Sequence, residues 1–316
     1  MTRVAIPSIS FCQTDTLRAE ILARYPNTRF NEEQRRMNEE ELVEFLSDRD
    51  VAIMGLETLT AEMLARLPDL KVISRMGVGL DNVDPALLRE RGIRIGWKAG
   101  TNRRSVAELM VAFSVCALRH VGSLYAAMRE GKQPRQQMGR HLSGRVVGLH
   151  GCGNVGKEVV RLLQTWDCKI LVHDIQDYPD FYAEFGVHSV GINELVERAE
   201  VLSLHIPLDD STRGLYSADL LDCMRNDAVL INTCRGGIID ESALKERLFD
   251  GRLAAACIDA FAVEPPNDNE LLNAPNFLCT PHIGGSAEEA RLAMGRAAID
   301  GIEENFLPEP GVFPFS

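Results

Sequence analysis

Arg145-Val-Val-Gly-Leu-His-Gly-Cys-Gly-Asn-Val-Gly156 is an apolar run that ends in three glycines spaced Gly151-x-Gly153-x-x-Gly156. Residues 145–150 have the length and apolarity of a buried strand, and residues 155–164 have the apolar spacing of a helix. The first glycine permits a tight turn, the second lets a phosphate approach the backbone, and the third allows close helix–strand packing. The helix start then offers unpaired N–H groups and a partial positive charge to an anion. Taken alone, such a turn also occurs between strands and helices that hold no ligand.

What lies downstream narrows the reading. The next apolar run, residues 169–173, ends at Asp174, 18 residues after the last glycine. An acid at that place accepts hydrogen bonds from an adenosine ribose and repels a 2′-phosphate. The following Ile175-Gln176-Asp177 supplies no Arg or Lys to receive such a phosphate. The expected cofactor is therefore NAD rather than NADP, although Asp174 alone also reads as an acid capping a turn.

Outward from this stretch the chain alternates strand and helix. Runs 3–6, 51–54, 71–74 and 93–95 read as strands, with helical stretches at 15–25, 39–46, 60–67 and 85–91. Thr60, and Asp84 before Pro85, are sensible helix starts. Residues 105–118 read as a long amphipathic helix continuing toward 128, and 131–140 as polar, basic and irregular. Strand-like runs resume at 145–150, 169–173, 201–205, 228–231, 253–258 and 277–279, before a last helix at 287–304. This rhythm predicts an α/β protein with parallel sheets covered by helices on both faces.

The bulk numbers exclude other classes. A chain of 316 residues, 45% hydrophobic and 6% aromatic, suits two ordinary domains. A net charge of −12 argues against non-specific nucleic-acid binding. The apolar runs fall short of the roughly 20 residues a membrane helix needs. Met-Thr-Arg-Val-Ala-Ile-Pro at the start reads as a first strand, not a signal peptide. Eight scattered cysteines without a Cys-x-x-Cys pair predict neither a disulfide framework nor a metal site. A cytoplasmic protein with buried thiols is expected.

Three polar residues stand just past strand-like runs: Arg235 in Asn-Thr-Cys-Arg-Gly-Gly, Glu264 in Val-Glu-Pro-Pro, and His282 in Thr-Pro-His-Ile-Gly-Gly. Open α/β sheets bind ligands outside the carboxyl ends of their strands. An Arg there can hold a carboxylate or carbonyl oxygen, a His can move a proton, and a Glu can orient the His. Each has a bland reading too: a surface Arg near a helix start, a solvated acid before prolines, a structural His. Gly77-Val78-Gly79 follows another strand, and its backbone amides make an anion-binding concavity.

Together these residues resemble the D-isomer-specific 2-hydroxyacid dehydrogenases, and within that family the phosphoglycerate dehydrogenases. The likeness runs through Ile73–Asp84, Ser105-Val-Ala-Glu108, the 151–156 turn, Leu204-His-Ile-Pro-Leu208, 231–241, 259–265 and Thr280-Pro-His-Ile-Gly-Gly285. The resemblance implies a discontinuous layout: residues 1–98 plus 286–316 as a flavodoxin-like substrate domain, and 99–285 as a Rossmann NAD domain. It implies a homodimer through the NAD domain and a short form without regulatory domains. It assigns catalysis to Arg235, Glu264 and His282. Gly151, Gly153, Asn154, Val155, Gly156, Asp174, Ile206, Pro207, Thr233, Cys234, Asp259 and Gly284 would hold the cofactor, with Asp259 receiving the nicotinamide carboxamide. Arg75, Gly77, Val78 and Gly79 would bind a small anionic substrate, Arg75 taking a phosphate. The chain departs from the family pattern at Ala99 and Cys234, and Lys98, Arg103 and Arg104 make the hinge basic. The activity so implied is D-3-phosphoglycerate dehydrogenase-like. Glyoxylate or hydroxypyruvate reduction and D-lactate-type oxidation are alternatives, and an NAD(H)-sensing corepressor is the alternative of another class.

Overall fold

The computed structural model describes residues 2–134 and 138–315. The chain forms two compact units, Met1–Asn102 with Ser286–Ser316, and Arg103–Gly285.

The first unit holds β1 (Val4–Ile6), β2 (Arg29–Phe30), β3 (Val51–Met54), β4 (Val72–Arg75) and β5 (Arg94–Gly96). The second holds β6 (Val146–His150), β7 (Lys169–His173), β8 (His188–Ser189), β9 (Val201–Leu204), β10 (Val229–Asn232), β11 (Ala255–Ile258) and β12 (Phe277–Cys279). β13 (Asn305–Phe306) returns to the first unit.

In the first unit the order is β13-β5-β4-β3-β1-β2. Every pairing is parallel except β13 against β5. β3 and β4 are buried along their whole length, as strands covered on both faces must be. One face packs Leu17 and Ile21 with Ala298, Ile299 and Ile302; the other packs Leu42, Val43, Leu46, Met63, Leu64 and Leu88. The C-terminal helix Glu288–Asp300 is tied in where Ser74 Oγ donates to the Ala298 carbonyl at 2.7 Å. Helix starts follow their side chains: the Thr60 hydroxyl accepts from Met63 N, and Asp84 accepts from Ala86 N and Leu87 N.

In the second unit the order is β12-β11-β10-β9-β6-β7-β8, parallel throughout. The sheet runs outward both ways from β6, which is the Rossmann order, with the switch point between β6 and β9. Both faces are apolar: Leu202, Leu204, Leu230 and Ile258 on one, Leu149, Val201, Ile231 and Cys257 on the other.

The long helix expected over 105–128 is two helices, Arg103–Leu118 and Val121–Arg129, bent by 66°. His120 turns left-handed at φ 55°. Arg140 N donates to the Leu118 carbonyl at 2.9 Å, taking the acceptor that a continuing helix would offer to Gly122. The expected irregular segment 131–140 lies partly outside the described residues. Among the described residues no single helix is long and apolar enough to cross a membrane.

The core of the second unit contains an acid-sensitive pair, with a second buried ring, His205, lowered to about 3 by burial and by His150. His150 is 6% exposed, and its Nδ1 lies 2.9 Å from the hydroxyl of fully buried Tyr216. Burial, aided by neighbouring His173, lowers the His150 pKa from 6.5 to about 4. The folded ring thus stays neutral where the unfolded chain takes up a proton. The associated stability is complete above about pH 6.5 and is lost as pH falls toward 4. The melting temperature should drop across that window, and less steeply in His150→Gln, which retains a partner for Tyr216. Identical slopes in the two proteins would reject His150 as the cause.

Candidate active site

The 151–156 turn lies between β6 and the helix Asn154–Leu163. A Cβ on Gly156 would meet the Gly151 carbonyl oxygen at 2.2 Å, so strand and helix can approach only without a side chain there. A Cβ on Gly153 would meet nothing within 4 Å. No side chain caps this helix, so its first-turn amides lack that partner. The turn therefore fits a dinucleotide pyrophosphate. Asp174, just past β7, accepts from Cys152 N at 2.5 Å and from Gln176 N at 2.8 Å, which fixes the carboxylate against the turn. Past β9 and β10, His205 has both ring nitrogens buried without a partner, and Thr233 Oγ1 is likewise orphaned. Buried polar atoms normally find a partner, and these two flank the Ile206-Pro207 and Cys234 positions.

The catalytic candidates come from turns after β10, β11 and β12. His282 Nδ1 lies 2.9 and 3.0 Å from the two Glu264 oxygens, and both side chains are half-exposed. Glu264 Oε1 also accepts from Phe261 N at 3.1 Å, which fixes the carboxylate. Asp259, 1% exposed, braces the His282 turn. Its Oδ1 accepts from Thr280 Oγ1 at 2.5 Å and Ile283 N at 2.7 Å, and its Oδ2 from Gly284 N at 2.8 Å. Asp259, expected to receive a nicotinamide carboxamide, thus also has an internal task in holding this turn.

Arg235 occupies a turn shaped by Asn232, which is 2% exposed. Asn232 Nδ2 donates to the Arg235 carbonyl at 2.8 Å, and Asn232 Oδ1 accepts from Cys234 N at 3.1 Å. The next residue, Gly236, lies against the Phe261–Ala262 backbone. The Arg235 turn and the Glu264 turn are therefore in direct contact. Sequence reading missed Asn232, although a polar residue closing an apolar strand was the available signal. It also missed Ser105, whose Oγ donates to the Gly284 carbonyl at 2.6 Å.

In the first unit, the 77–79 loop opens at Gly77, whose φ of 141° suits glycine alone. Trp97 Nε1 donates to the Val78 carbonyl at 3.0 Å. Arg75 is 6% exposed, and its Nη2 donates to the Gly79 carbonyl at 2.9 Å and to Asn82 Oδ1 at 2.8 Å. Burial lowers its pKa to about 10. Arg75, expected to take a substrate phosphate, thus also braces its own loop from a buried position. In the second unit, Arg103 and Arg104 pair with Glu158, and Arg104 also with Glu108.

Residues 111–284 match the family model described as the NAD-binding domain of D-isomer-specific 2-hydroxyacid dehydrogenases. The chain is 35% identical over 271 residues to the D-3-phosphoglycerate dehydrogenase of Methanocaldococcus jannaschii, covering 85% of this chain and 52% of that protein. It is 34% identical to the hydroxypyruvate reductase of Thermotoga maritima, covering 84% of this chain and 88% of that one. The chain spans about half the length of the phosphoglycerate dehydrogenases it matches. An acyclic imino acid reductase, solved with NADPH and D-Arg, superposes with a TM-score of 0.85 at 25% identity over 96% of both chains. A Rossmann-ordered sheet with an open glycine turn, a bonded His–Glu pair and this extent of sequence identity lead to one statement: the chain belongs to the D-isomer-specific 2-hydroxyacid dehydrogenases, a family of NAD-dependent oxidoreductases.

Proposed function

We propose that this protein interconverts a D-2-hydroxy acid and its 2-oxo acid with NAD, and that D-3-phosphoglycerate is its substrate. The observation that carries the reaction type is the His282–Glu264 pair, bonded at 2.9 Å beside the turn that bears Arg235. A bound nicotinamide cofactor would supply or accept the hydride. With Nδ1 held by Glu264, His282 presents Nε2 to the substrate oxygen. In reduction it delivers a proton there; in oxidation it removes the hydroxyl proton. Glu264 keeps the ring oriented and balances its charge while it is protonated. Arg235, a planar permanent cation, holds the substrate carboxylate and polarises the reacting carbonyl. Asp259 acts as a positioning residue through the Thr280–Gly284 bonds. The 151–156 turn would hold the pyrophosphate, and Asp174 would accept from the adenosine ribose.

Sequence identity to phosphoglycerate dehydrogenases of several organisms supports the phosphorylated substrate. A second reading, reduction of hydroxypyruvate or glyoxylate, is favoured by the burial of Arg75 against Gly79 and Asn82. NADH consumption with 3-phosphohydroxypyruvate, hydroxypyruvate, glyoxylate and pyruvate separates the two. We expect a kcat/KM at least about tenfold higher for the phosphorylated acid, equivalent to about 1.4 kcal/mol. The reverse order replaces phosphoglycerate by hydroxypyruvate as the substrate.

A homodimer through the NAD domain is proposed on the helix Val121–Arg129, which buries no residue. Val121, Tyr125 and Met128 are 47%, 61% and 61% exposed at helical spacing, an apolar stripe that calls for cover. Tyr125→Asp is expected to shift the sedimenting species from dimer to monomer; an unchanged dimer would move the interface elsewhere. Eight cysteines, all unpaired, suit the reducing cytoplasm proposed as its location.

A further inference from the structure

Asp174 is joined to a cation by a short relay. Its Oδ1 accepts from Gln176 N at 2.8 Å, and Gln176 Oε1 accepts from the Tyr178 hydroxyl at 2.7 Å. The Tyr178 ring lies under Lys157 Nζ, which is 3.3 Å from the ring centroid and 5.6 Å from that of Phe181. Lys157 directly follows Gly156 in the first turn of the helix Asn154–Leu163. Its charge reaches the glycine turn. Burial pushes the Cys152 thiol up to about 11, with Lys157 pulling it down and Asp174 pushing it further up. One lysine and one carboxylate therefore act on the same place from its two flanks. Arg161, the next cation along the helix, is held over Phe181 and Phe185 and pairs with Glu158 at 3.3 Å.

An adenosine ribose needs only an acceptor for its hydroxyls, which Asp174 supplies. A 2′-phosphate adds close to two negative charges at pH 7 and calls for a cation. Lys157 is long enough to offer one, but an aromatic face attracts its ammonium through the ring quadrupole. We propose that Lys157 and Tyr178 form a second determinant of cofactor choice: the ring withholds from the ribose end the lysine that would welcome a 2′-phosphate. Discrimination against NADP then has two parts, a carboxylate presented and a cation kept away. The inference rests on the reading of Asp174 as the ribose acceptor.

Equilibrium binding of NADH and NADPH, read by nucleotide fluorescence with no substrate present, tests it. Tyr178→Leu should tighten NADPH by about three- to tenfold, the size of a released cation–π contact, and leave NADH within about twofold. Tyr178→Phe keeps the ring and should match the parent protein. Adding Lys157→Met to Tyr178→Leu should cancel the gain. Tyr178→Met gives the same comparison with a flexible side chain if the leucine variant does not fold. An unchanged NADPH affinity in the folded variants, or a gain that survives Lys157→Met, overturns the proposal. Equal affinity of the parent protein for both nucleotides would instead remove the Asp174 reading beneath it.

Discussion

His282→Ala is expected to lower turnover by about two to four orders of magnitude, the usual worth of a positioned acid–base group. Nucleotide binding in the absence of substrate should change little, because the proposed task of His282 is toward the substrate oxygen and the substitution leaves the Asp259 bonds to Ile283 N and Gly284 N in place. The melting temperature should also hold. Both His282 and Glu264 side chains are half-exposed, 45% and 40%, so their loss leaves no buried cavity. Glu264→Gln should fall between parent and His282→Ala, since an amide still accepts from Nδ1 but carries no charge. Steady-state kinetics with NADH and the best 2-oxo acid reads both variants. Turnover within tenfold of the parent in His282→Ala would assign the proton to another group, and the mechanism above would be wrong.

Gly236→Ala should have the largest effect of any single methyl group in the site. Its Cβ would sit 1.9 Å from the carbonyl carbon and oxygen of Phe261 and 2.3 Å from Ala262 N. These are backbone atoms and cannot rotate aside. Either the turn that carries Arg235 or the one that leads to Glu264 must move. A displacement of about 1 Å in such a constellation costs on the order of a hundredfold in rate. Overpacking should also destabilise the fold by about 1–3 kcal/mol. Gly191→Ala is the control, with φ −68° and nothing within 4 Å of its Cβ. Native-like kcat/KM in Gly236→Ala would show that the two turns are coupled too loosely to define the site.

The parallel sheets were legible because each strand carries its own signal. Buried runs such as Val51–Met54 and Lys169–His173 end where the next polar or glycine residue stands. The edge strands Arg29–Phe30, His188–Ser189 and Asn305–Phe306 were not legible, since two residues have no periodicity. The break at His120 was hidden for a different reason: the competing donor, Arg140 N, comes from 22 residues away. The same limit applies at the site. Strand-end position brought Arg235, Glu264 and His282 to notice. It said nothing of where a side chain points. Asp259 and Arg75 read as ligands for a carboxamide and a phosphate, and the bonds by which both brace their own loops were not legible. The contact of Lys157 with the Tyr178 ring joins residues 21 apart and has no sequence signal.

The two-part make-up of the first unit has a consequence for synthesis. Ala298, Ile299 and Ile302 cover one face of its sheet, beside Val4, Ile6, Leu17 and Ile21. The ribosome makes that part of the cover after residues 103–285. At about 5–20 residues per second, the roughly 180 residues in between delay it by about ten to forty seconds. Meanwhile residues 103–285 emerge as one continuous stretch and can fold as they appear. The nascent N-terminal sheet waits with only Phe11, Leu17, Ile21 and their neighbours over that face, and the part that Ala298, Ile299 and Ile302 cover stays open to a chaperone that shields apolar surface. Trimming the chain before Ala298 would make that temporary state permanent.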